Sequence, residues 1–358
     1  MDHDSPAFTP VSEVGEFGLI AILRDELGHE VPDDVHTGIG DDAAVVEQPG
    51  GTVQVITTDA LIEGVHFDRT FMPMEHLGFK IISVSVSDVA AMNAEPSYAT
   101  VTVGIPKNIT VEHLRTLYSG IRQACEAYDM TVIGGDTTSA HALTLSVTVW
   151  GTADADAIVR RSGAQPGEAL CVTGDLGASY AGLKVLADER QRLESEGDDF
   201  QTAVDDFPYV IRRHLAPPAQ AISVPRWRTA NFRPSALIDI SDGLSSEVHH
   251  IAEASGVGAR LFGPTLPIHP ETRQVADRFG DDVDVYALFG GEDYELLFTA
   301  PESALTVLDD STYTVIGEVV EAEHGVTLEE GDGTTVPLKP GGFDHFEKEN
   351  ENDASSPS

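Results

Sequence analysis

Five short acidic motifs contain the residues whose types and spacing could do chemistry. In each, aspartate follows or adjoins an apolar run, and serine, threonine or glycine stands beside it. A buried carboxylate is costly unless it is paired or binds a cation, and the chain has 21 basic residues against 60 acidic ones. Oxygen-rich clusters suit hard cations such as Mg²⁺, which in turn bind phosphates. The motifs are Gly38-Ile39-Gly40-Asp41-Asp42, Thr57-Thr58-Asp59, Ser87-Asp88, Gly134-Gly135-Asp136 and Asp239-Ile240-Ser241-Asp242-Gly243.

Each motif taken alone also has an ordinary structural explanation. An Asp-Asp pair fits a turn, and Thr57-Thr58-Asp59 fits a helix N-cap as well as a metal site. Two further groups stand near the motifs, namely His66 and the Glu292 of a Gly-Gly-Glu-Asp-Tyr-Glu segment. The sequence has no lysine-bearing P-loop, GxGxxG fingerprint or Cys/His zinc spacing. Together the motifs predict a multi-metal cleft that handles phosphates.

The elements that must position these motifs alternate between strand and helix in both halves of the chain. The first half predicts helices near 14–27, 75–92 and 111–127, and strands near 43–48, 53–58, 98–104, 130–134 and 143–150. The second half predicts strands near 169–173, 236–240, 294–299 and 313–320, with helices from Ala178 and Leu244 and a hairpin around 330–333. The pattern indicates a mixed α/β chain without the strict βαβ period of a Rossmann domain.

Length and polarity set the domain organisation that we expect. The chain has 358 residues, which favours two domains. We expect an N-terminal domain over 1–150, a C-terminal domain over 151–346 and a disordered tail over 347–358. Cys125 and Cys171 stand among apolar neighbours and are expected to be buried thiols in a reducing cytoplasm.

The net charge is −39. So few basic residues argue against a nucleic-acid partner and against binding to anionic membranes. No apolar run is long enough to cross a membrane, and the acidic N-terminus does not resemble a signal peptide, so we expect a cytoplasmic protein. The acid is spread along the chain, and we interpret most of it as adaptation to a salt-rich, halophilic cytoplasm, where salt screens surface charge.

The motifs occur together in an order that resembles one known family. They include Gly-Ile-Gly-Asp-Asp-Ala-Ala, Thr-Thr-Asp-Ala-Leu-Ile-Glu-Gly-Val-His-Phe, Gly-Gly-Asp-Thr-Thr, Ile-Asp-Ile-Ser-Asp-Gly-Leu and Gly-Gly-Glu-Asp-Tyr-Glu-Leu-Leu-Phe. From about Glu13 to Phe346 the chain resembles thiamine-monophosphate kinase, a family of the aminoimidazole-ribotide-synthetase-like (PurM-like) superfamily. Gly-Gly-Asp or Ser-Asp-Gly alone would indicate only the superfamily.

The resemblance implies a two-domain PurM-like fold, with an active site between the domains and a homodimer formed by the N-terminal domains. It implies direct in-line transfer of a phosphoryl group from ATP to thiamine monophosphate, with several Mg²⁺ ions. The Mg²⁺ ligands it implies are Asp42, Thr57, Thr58, Asp59, Asp88, Asp136, Asp239 and Asp242. The ATP contacts it implies are Tyr118, Gly135, Asp136, Arg161 and Ser241, and the thiamine contacts are His66, Glu292 and Phe343. Among these, Asp59, Asp136 and Arg161 are expected to act in catalysis, although Arg161 also fits a solvated linker arginine.

Rival functions remain open at the level of sequence. Another synthetase of the superfamily, of the aminoimidazole ribotide or selenophosphate type, would share the acidic motifs. The selenophosphate enzymes typically rely on an N-terminal cysteine or selenocysteine, which this N-terminus lacks. A regulator that binds nucleotide or thiamine phosphate without turnover is a rival of another class, and a metal-dependent phosphatase that needs no ATP is a third.

Overall fold

The computed structural model describes residues 9–28, 31–196 and 204–342. Residue contacts divide the chain into two compact units, one comprising Met1–Asp33 with Phe343–Ser358 and the other Asp34–Gly342. In the first unit a short 3₁₀ turn precedes helix α1, Gly15–Leu27, which is followed by Gly28 as predicted. The tail predicted over 347–358 lies outside the described residues.

The first half of the larger unit is built on a six-stranded sheet with the order β1-β2-β3-β6-β4-β5. Its strands pair antiparallel except for β4 and β5, which are parallel. The strands are β1 Val35–Thr37, β2 Ala44–Gln48, β3 Thr52–Ile62, β4 Glu95–Ile105, β5 Thr131–Ser139 and β6 Thr144–Asp154, and the helices are α2 Met74–Ala91 and α3 Val111–Ala127. Thr110 caps α3 as predicted, by accepting the backbone N–H of His113.

Helix α2 covers one face of this sheet because its buried residues are mainly apolar. It contacts β3 and β6, where Val55 and Val147 are fully buried. Helix α3 packs on α2 at very short range: a Cβ atom on Gly78 of α2 would lie 2.0 Å from the carbonyl oxygen of Leu117. Only glycine permits this approach, and it fixes α2 between the sheet and α3.

The second half carries a seven-stranded sheet with the order β13-β12-β9-β11-β7-β10-β8. All neighbours are antiparallel except β12 and β9. The strands are β7 Ala169–Val172, β8 Ala236–Asp239, β9 Gly258–Phe262, β10 Leu296–Ala300, β11 Thr314–Val320, β12 Val326–Glu329 and β13 Thr335–Pro337. The helices are α4 Ala178–Glu196, α5 Pro208–Leu215, α6 Ser223–Thr229, α7 Leu244–Ser255, α8 Pro270–Phe279, α9 Val283–Phe289 and α10 Glu302–Leu305.

The central strands of the second sheet are buried on both faces. Cys171 of β7 belongs to a core that also contains the α2 residues of the first half, whereas Leu170 and Val172 belong to a second core beneath α7. This continuous packing brings α2 against β8. Residues from the two halves therefore meet where α2 and β8 end. None of the described helices is long and apolar enough to cross a membrane.

Several strands extend further than the sequence indicates, and two of them, β3 and β5, carry predicted site residues. The strand predicted over 53–58 continues to Ile62, so Thr57, Thr58 and Asp59 lie within β3. The strand predicted over 130–134 continues to Ser139, so Gly135 and Asp136 lie within β5. The N-cap alternative for Thr57-Thr58-Asp59 is therefore wrong. Pairing with β6 continues through Asp59 to Ile62, and a strand that is paired can carry polar residues beyond its apolar run.

Candidate active site

Three aspartates from distant parts of the sequence meet where α2 contacts β8. Asp42 precedes β2, Asp88 lies in the last turn of α2, and Asp239 is the last residue of β8. One carboxylate oxygen from each residue lies within 4.8 Å of those of the other two. We refer to Asp42, Asp88 and Asp239 as the carboxylate cluster. The structure thus brings together three of the predicted metal ligands.

Side chains from β3 and α2 hold and extend the cluster. The Thr57 hydroxyl donates to Asp88 Oδ2 at 2.5 Å, and the Ser85 hydroxyl donates to Asp59 Oδ2 at 2.7 Å. Ser85 and Asp88 are three residues apart and so lie on the same side of α2. Thr57 and Asp59 alternate with Thr58 and so lie on the face of β3 that α2 covers. The hydroxyls orient two of the carboxylates and leave their other oxygens available.

Arg161 is the basic group that reaches the carboxylate cluster. Its Nη2 atom lies 2.7 Å from Asp42 Oδ1, and its Nε atom lies 3.9 Å from Asp41 Oδ1. Its side chain is 21% exposed, so it is not the solvated linker arginine that the sequence left open. One guanidinium therefore faces at least three carboxylates, and positive charge is in deficit.

The electrostatics of the cluster favour cation binding. Burial, followed by the charges of Asp59, Asp239 and Asp42, raises the pKa of Asp88 well above its usual value. Burial and then Asp42 raise the pKa of Asp239 to about 7. Within the described structure, Asp42 Oδ2 and Asp239 Oδ2 are buried without a hydrogen-bond partner. Desolvated carboxylates that repel one another and keep free oxygens fit a hard divalent cation such as Mg²⁺.

A second group of polar residues surrounds Glu292. The Lys80 Nζ atom lies 2.6 Å from Glu292 Oε1, and the His214 Nδ1 atom lies 3.5 Å from Glu292 Oε2. His66 accepts the Ile62 N–H through its Nδ1 atom at 3.1 Å and is near enough to lower the pKa of Glu292. His66 and Glu292, both predicted substrate contacts, therefore belong to one neighbourhood.

The backbone around Glu292 is strained. Glu292 has a φ of 65° and Tyr294 a φ of 53°, in a region that residues other than glycine seldom adopt. Such conformations cost about 1–3 kcal/mol and cluster at functional sites. The Glu292 N–H donates to the Ser241 carbonyl at 2.7 Å, and a Cβ on Gly291 would lie 2.5 Å from that oxygen. The segment that carries Glu292 is thereby tied to the Ser241-Asp242 motif.

The Glu247 carboxylate holds the backbone of the Ser241-Asp242 motif in place. Its Oε1 atom accepts the backbone N–H groups of Asp242 at 2.9 Å and Ser241 at 3.3 Å. The side chain is buried, and burial followed by the charge of Asp242 raises its pKa well above the usual value. Glu247 lies in the first turn of α7, where a carboxylate can satisfy free N–H groups. It fixes the turn that presents Ser241 and Asp242.

Asp136 lies apart from the carboxylate cluster in the sheet. The strand register aligns Asp136 with Thr102, Ser146 and Ala60, and it aligns Gly135 with the row of Asp59. Asp136 is therefore exposed on the face opposite Asp59, and three strand spacings, about 14 Å, separate their strands. The strand register therefore does not bring all the predicted metal ligands of one chain together in a single site.

Two other predicted site residues, Thr58 and Tyr118, also lie outside the cluster. Thr58 is on the open face, where its hydroxyl donates to the Val147 carbonyl at 3.1 Å. Tyr118 lies on α3 with 42% of its surface exposed. Phe343 lies outside the described residues. Their predicted roles stay predictions.

Sequence reasoning missed Lys80, Ser85, His214 and Glu247. Lys80 carried a usable signal, because it is the lysine within the apolar run that forms α2. Ser85 stands three residues before Asp88, at the spacing of one helical face. His214 follows two arginines in α5, and nothing in that short segment points to Glu292. Pairs this distant in sequence become visible only in the folded chain.

Two family models match this chain. The N-terminal domain of AIR synthase related protein matches residues 40–153, and the C-terminal domain of AIR synthase related protein matches residues 165–329. With its two sheets and the carboxylate cluster between them, the chain is therefore a mixed α/β protein of the two-domain, PurM-like class.

Comparison with individual proteins identifies the family within this class to which the chain belongs. The thiamine-monophosphate kinase of Aquifex aeolicus is 38% identical over 94% of this chain and 99% of its own length. That of Bacillus subtilis is 34% identical over 92% of this chain and 99% of its own length. The structure of AaThiL complexed with AMPPCP and TMP has a TM-score of 0.81 and 35% identity, covering 95% of this chain and all of that one. The chain belongs to the thiamine-monophosphate kinase family.

Proposed function

We propose that the protein transfers the γ-phosphoryl group of ATP to the phosphate of thiamine monophosphate, which yields thiamine diphosphate and ADP. The observation that carries this proposal is the carboxylate cluster with its unpartnered oxygens, in a chain that aligns over 94% of its length with a thiamine-monophosphate kinase. Full-length similarity to that family favours this acceptor over those of other synthetases of the superfamily. It also favours an enzyme over a binding protein without turnover.

The carboxylate cluster and Asp59 are proposed to hold Mg²⁺, with Thr57, Thr58, Asp136 and Asp242 as further predicted ligands. Bound Mg²⁺ would neutralise the phosphate charges of both substrates, which an acidic protein could not otherwise bring together. The Thr57 and Ser85 hydroxyls keep Asp88 and Asp59 oriented. Arg161 and Ser241 are proposed to contact ATP. Arg161 lies beside Asp42, where charge develops during transfer.

The transfer needs no general base from the chain. The attacking atom is a phosphate oxygen of thiamine monophosphate, which is already anionic at neutral pH, and the leaving group is ADP. The bond between the bridging oxygen of ATP and its γ-phosphorus breaks as the new P–O–P bond forms. Catalysis then rests on positioning and on charge neutralisation, for which the buried carboxylates would hold Mg²⁺ and Arg161 would supply a positive charge.

The organic part of thiamine monophosphate is proposed to contact His66 and Glu292. The thiazolium ring is a permanent cation, and the aminopyrimidine carries hydrogen-bond donors. Glu292 offers them an anionic acceptor whose side chain is 28% exposed. Phe343 is proposed to stack near the rings. The two ends of the acceptor would thus meet opposite charges. Mg²⁺ held by carboxylates would face the anionic phosphate, and the Glu292 carboxylate would face the cationic rings.

A cytoplasmic homodimer completes the proposal, with 1–150 and 151–346 as the proposed domains. Strand β5 is an edge of the six-stranded sheet, and its Ile133 side chain is 60% exposed. Unpaired, apolar edges favour association with another chain. Because Asp136 is exposed on this strand and faces away from Asp59 of its own chain, we propose that Gly135 and Asp136 serve the site of the second copy.

An assay of ADP release tests the function directly. The purified protein is expected to release ADP only when ATP, Mg²⁺ and thiamine monophosphate are all present, with thiamine diphosphate formed in equal amount. Thiamine without its phosphate serves as the matched control acceptor and should give no ADP. ADP release that does not depend on thiamine monophosphate, or turnover only with another acceptor, would contradict the proposal.

A further inference from the structure

Lys80 is a fully buried cation on the apolar face of α2. Its side chain is 0% exposed, and its ammonium lies 2.6 Å from Glu292 Oε1. Burying a charge is expensive unless a partner compensates it. Replacing such a pair with packed apolar residues is often neutral or stabilising. The buried Lys80–Glu292 pair is therefore expected to have a role other than stabilising the fold, and the surroundings of Glu292 indicate which role.

Glu292 is held on one side and open on the other. Lys80 and His214 approach its two oxygens at 2.6 Å and 3.5 Å. Burial acts to raise the pKa of Glu292, but the charge of Lys80 is the main cause that lowers it below its usual value. Burial, followed by the charge of Lys80, lowers the pKa of His214 to about 4, so His214 is neutral at pH 7. A carboxylate has about four acceptor sites, so two remain for a ligand.

The position of Glu292 is also fixed by its backbone. The positive φ of 65° and the hydrogen bond from its N–H to the Ser241 carbonyl restrict where the side chain can begin. Lys80 and His214 come from two different helices, α2 and α5. A strained backbone that is clamped by two helices is typical of a group whose placement matters for binding.

We propose that Lys80 and His214 are positioning residues for acceptor recognition, which hold the Glu292 carboxylate as an anion aimed at the organic cation of the acceptor. This inference rests on the proposed function and adds two residues to it. The Lys80 ammonium compensates the charge of Glu292, so Glu292 stays ionised although it is buried. Neutral His214 lies 3.5 Å from the second oxygen and adds no charge.

Steady-state kinetics of Lys80→Met test the role of Lys80. The methionine keeps the volume and removes the charge, so Glu292 loses its clamp. The KM for thiamine monophosphate is expected to rise about tenfold or more, because Glu292 loses the cation that pairs with it. The KM for ATP should stay within about twofold, since the ATP contacts lie elsewhere. Lys184→Met is the matched control, because Lys184 pairs with Asp281 at the surface, and neither KM should change.

A double variant separates recognition from folding. Lys80→Met alone leaves Glu292 as an uncompensated charge and is expected to lower the Tm. Lys80→Met/Glu292→Gln removes both charges and should recover much of that loss, yet its KM for thiamine monophosphate should stay raised about tenfold or more. If Lys80→Met does not fold, the double variant and Glu292→Gln decide the question.

The outcomes against the inference are distinct from failure of the proposed function. An active Lys80→Met variant with unchanged KM for thiamine monophosphate would refute the role of Lys80. Equal rises in both KM values, or a normal KM in the double variant, would reduce the pair to a structural one. A wild-type protein that releases no ADP with thiamine monophosphate would instead refute the proposed function itself.

Discussion

Two buried acidic groups in the described part of the chain, each beside one arginine, differ in how their oxygens are satisfied. The carboxylate cluster faces Arg161, and two of its oxygens have no hydrogen-bond partner in the described structure. The second group lies in the C-terminal half and consists of Asp293 and Glu295 around Arg213. We refer to these two acids as the C-terminal acidic group.

The C-terminal acidic group is largely satisfied by the chain itself. Asp293 accepts the N–H of Gly177 at 2.7 Å and that of Ser179 at 3.4 Å, and so caps the start of α4. Glu295 accepts the Thr173 hydroxyl at 2.7 Å and pairs with Arg213 Nη1 at 3.0 Å. These bonds join β7, α4, α5 and β10. Its carboxylates therefore act as internal ties of the fold.

The difference teaches how to separate a ligand site from a structural network when both are acidic and buried. Burial raises the pKa of Asp239 and of Asp293 alike to about 7, so the pKa alone does not distinguish them. The distinguishing feature is whether backbone N–H groups and hydroxyls already use the oxygens. Free oxygens that converge on one point indicate a cation site, and saturated oxygens indicate a structural role.

Replacing one aspartate of each group by asparagine should give the largest difference in kcat and stability between the two groups. Asp88→Asn is expected to lower kcat on the order of 10³-fold, because the loss of a Mg²⁺ ligand removes several kcal/mol of charge stabilisation. Its metal-free stability should equal or exceed that of the wild type, since a repelled, desolvated charge is removed. ADP-release kinetics and thermal unfolding measure the two effects.

The matched variant in the C-terminal acidic group is Asp293→Asn. An asparagine amide cannot accept from both N–H groups as a carboxylate does, so the free energy of unfolding should fall by about 1–3 kcal/mol. Its kcat should stay close to that of the wild type. Loss of turnover in Asp293→Asn with full activity in Asp88→Asn would reverse the assignment of the two groups.

Mixing two inactive variants tests whether the carboxylate cluster is completed by a second chain. Asp59→Asn and Asp136→Asn are each expected to lose at least about 100-fold in turnover. If Asp136 serves the partner's site, co-expression of the two variants pairs one intact Asp59 with one intact Asp136 in each heterodimer. Random pairing in a twofold dimer then restores about a quarter of the wild-type activity.

Differently tagged chains allow the heterodimer to be purified and assayed alone. Its recovery should be about half of the wild-type activity, because one of two sites is intact. Purified heterodimer with no recovered activity would mean that Asp136 does not act across the dimer. Asp136→Asn with normal turnover would remove it from the site altogether.

The pH dependence of stability should show the smallest effect. The pKa of Asp239 rises from 3.8 to about 7 on folding, so between about pH 4 and pH 7 the folded protein binds more protons than the unfolded chain. Stability therefore falls as the pH rises through this window. Without metal, Asp239→Asn should flatten that slope by up to about 1.4 kcal/mol per pH unit, as measured by urea unfolding at several pH values.

Added Mg²⁺ separates the two acidic groups in the same experiment. It should remove the share of the slope that comes from Asp239, because the cation favours the ionised carboxylate, and leave the share that comes from Asp293. A wild-type slope that Mg²⁺ does not alter would argue against a cation at the carboxylate cluster. An unchanged slope in Asp239→Asn would show that its proton uptake is not coupled to folding.

Local patterns in the sequence were sufficient for most helices and strands. The helix predicted over 75–92 is α2, Met74–Ala91, and the Thr110 cap is confirmed. The strands and the mixed α/β class followed from apolar runs between glycine-rich turns. Strand ends were harder to predict, because β3 and β5 continue through polar residues for as long as a neighbouring strand supplies hydrogen bonds.

The site was predictable only as a set of motifs. The sequence indicated Asp42, Asp59, Asp88 and Asp239 as one group, and the structure brings them together. It could not indicate that Asp136 faces the other side of its sheet, since that depends on the bulge and register of β5. Nor could it connect Lys80 with Glu292, which are 212 residues apart. Such pairs are decided by packing between the halves.

Helix α2 carries both Lys80 and Asp88, so it fixes the distance between the residue that pairs with Glu292 and the carboxylate cluster. Eight residues separate them, or about 12 Å along the axis at the α-helical rise of 1.5 Å per residue. The glycine contact with α3 prevents the helix from sliding. If the rings of the acceptor contact Glu292 as proposed, this spacing would set how far from the rings a phosphate must lie to reach the carboxylate cluster.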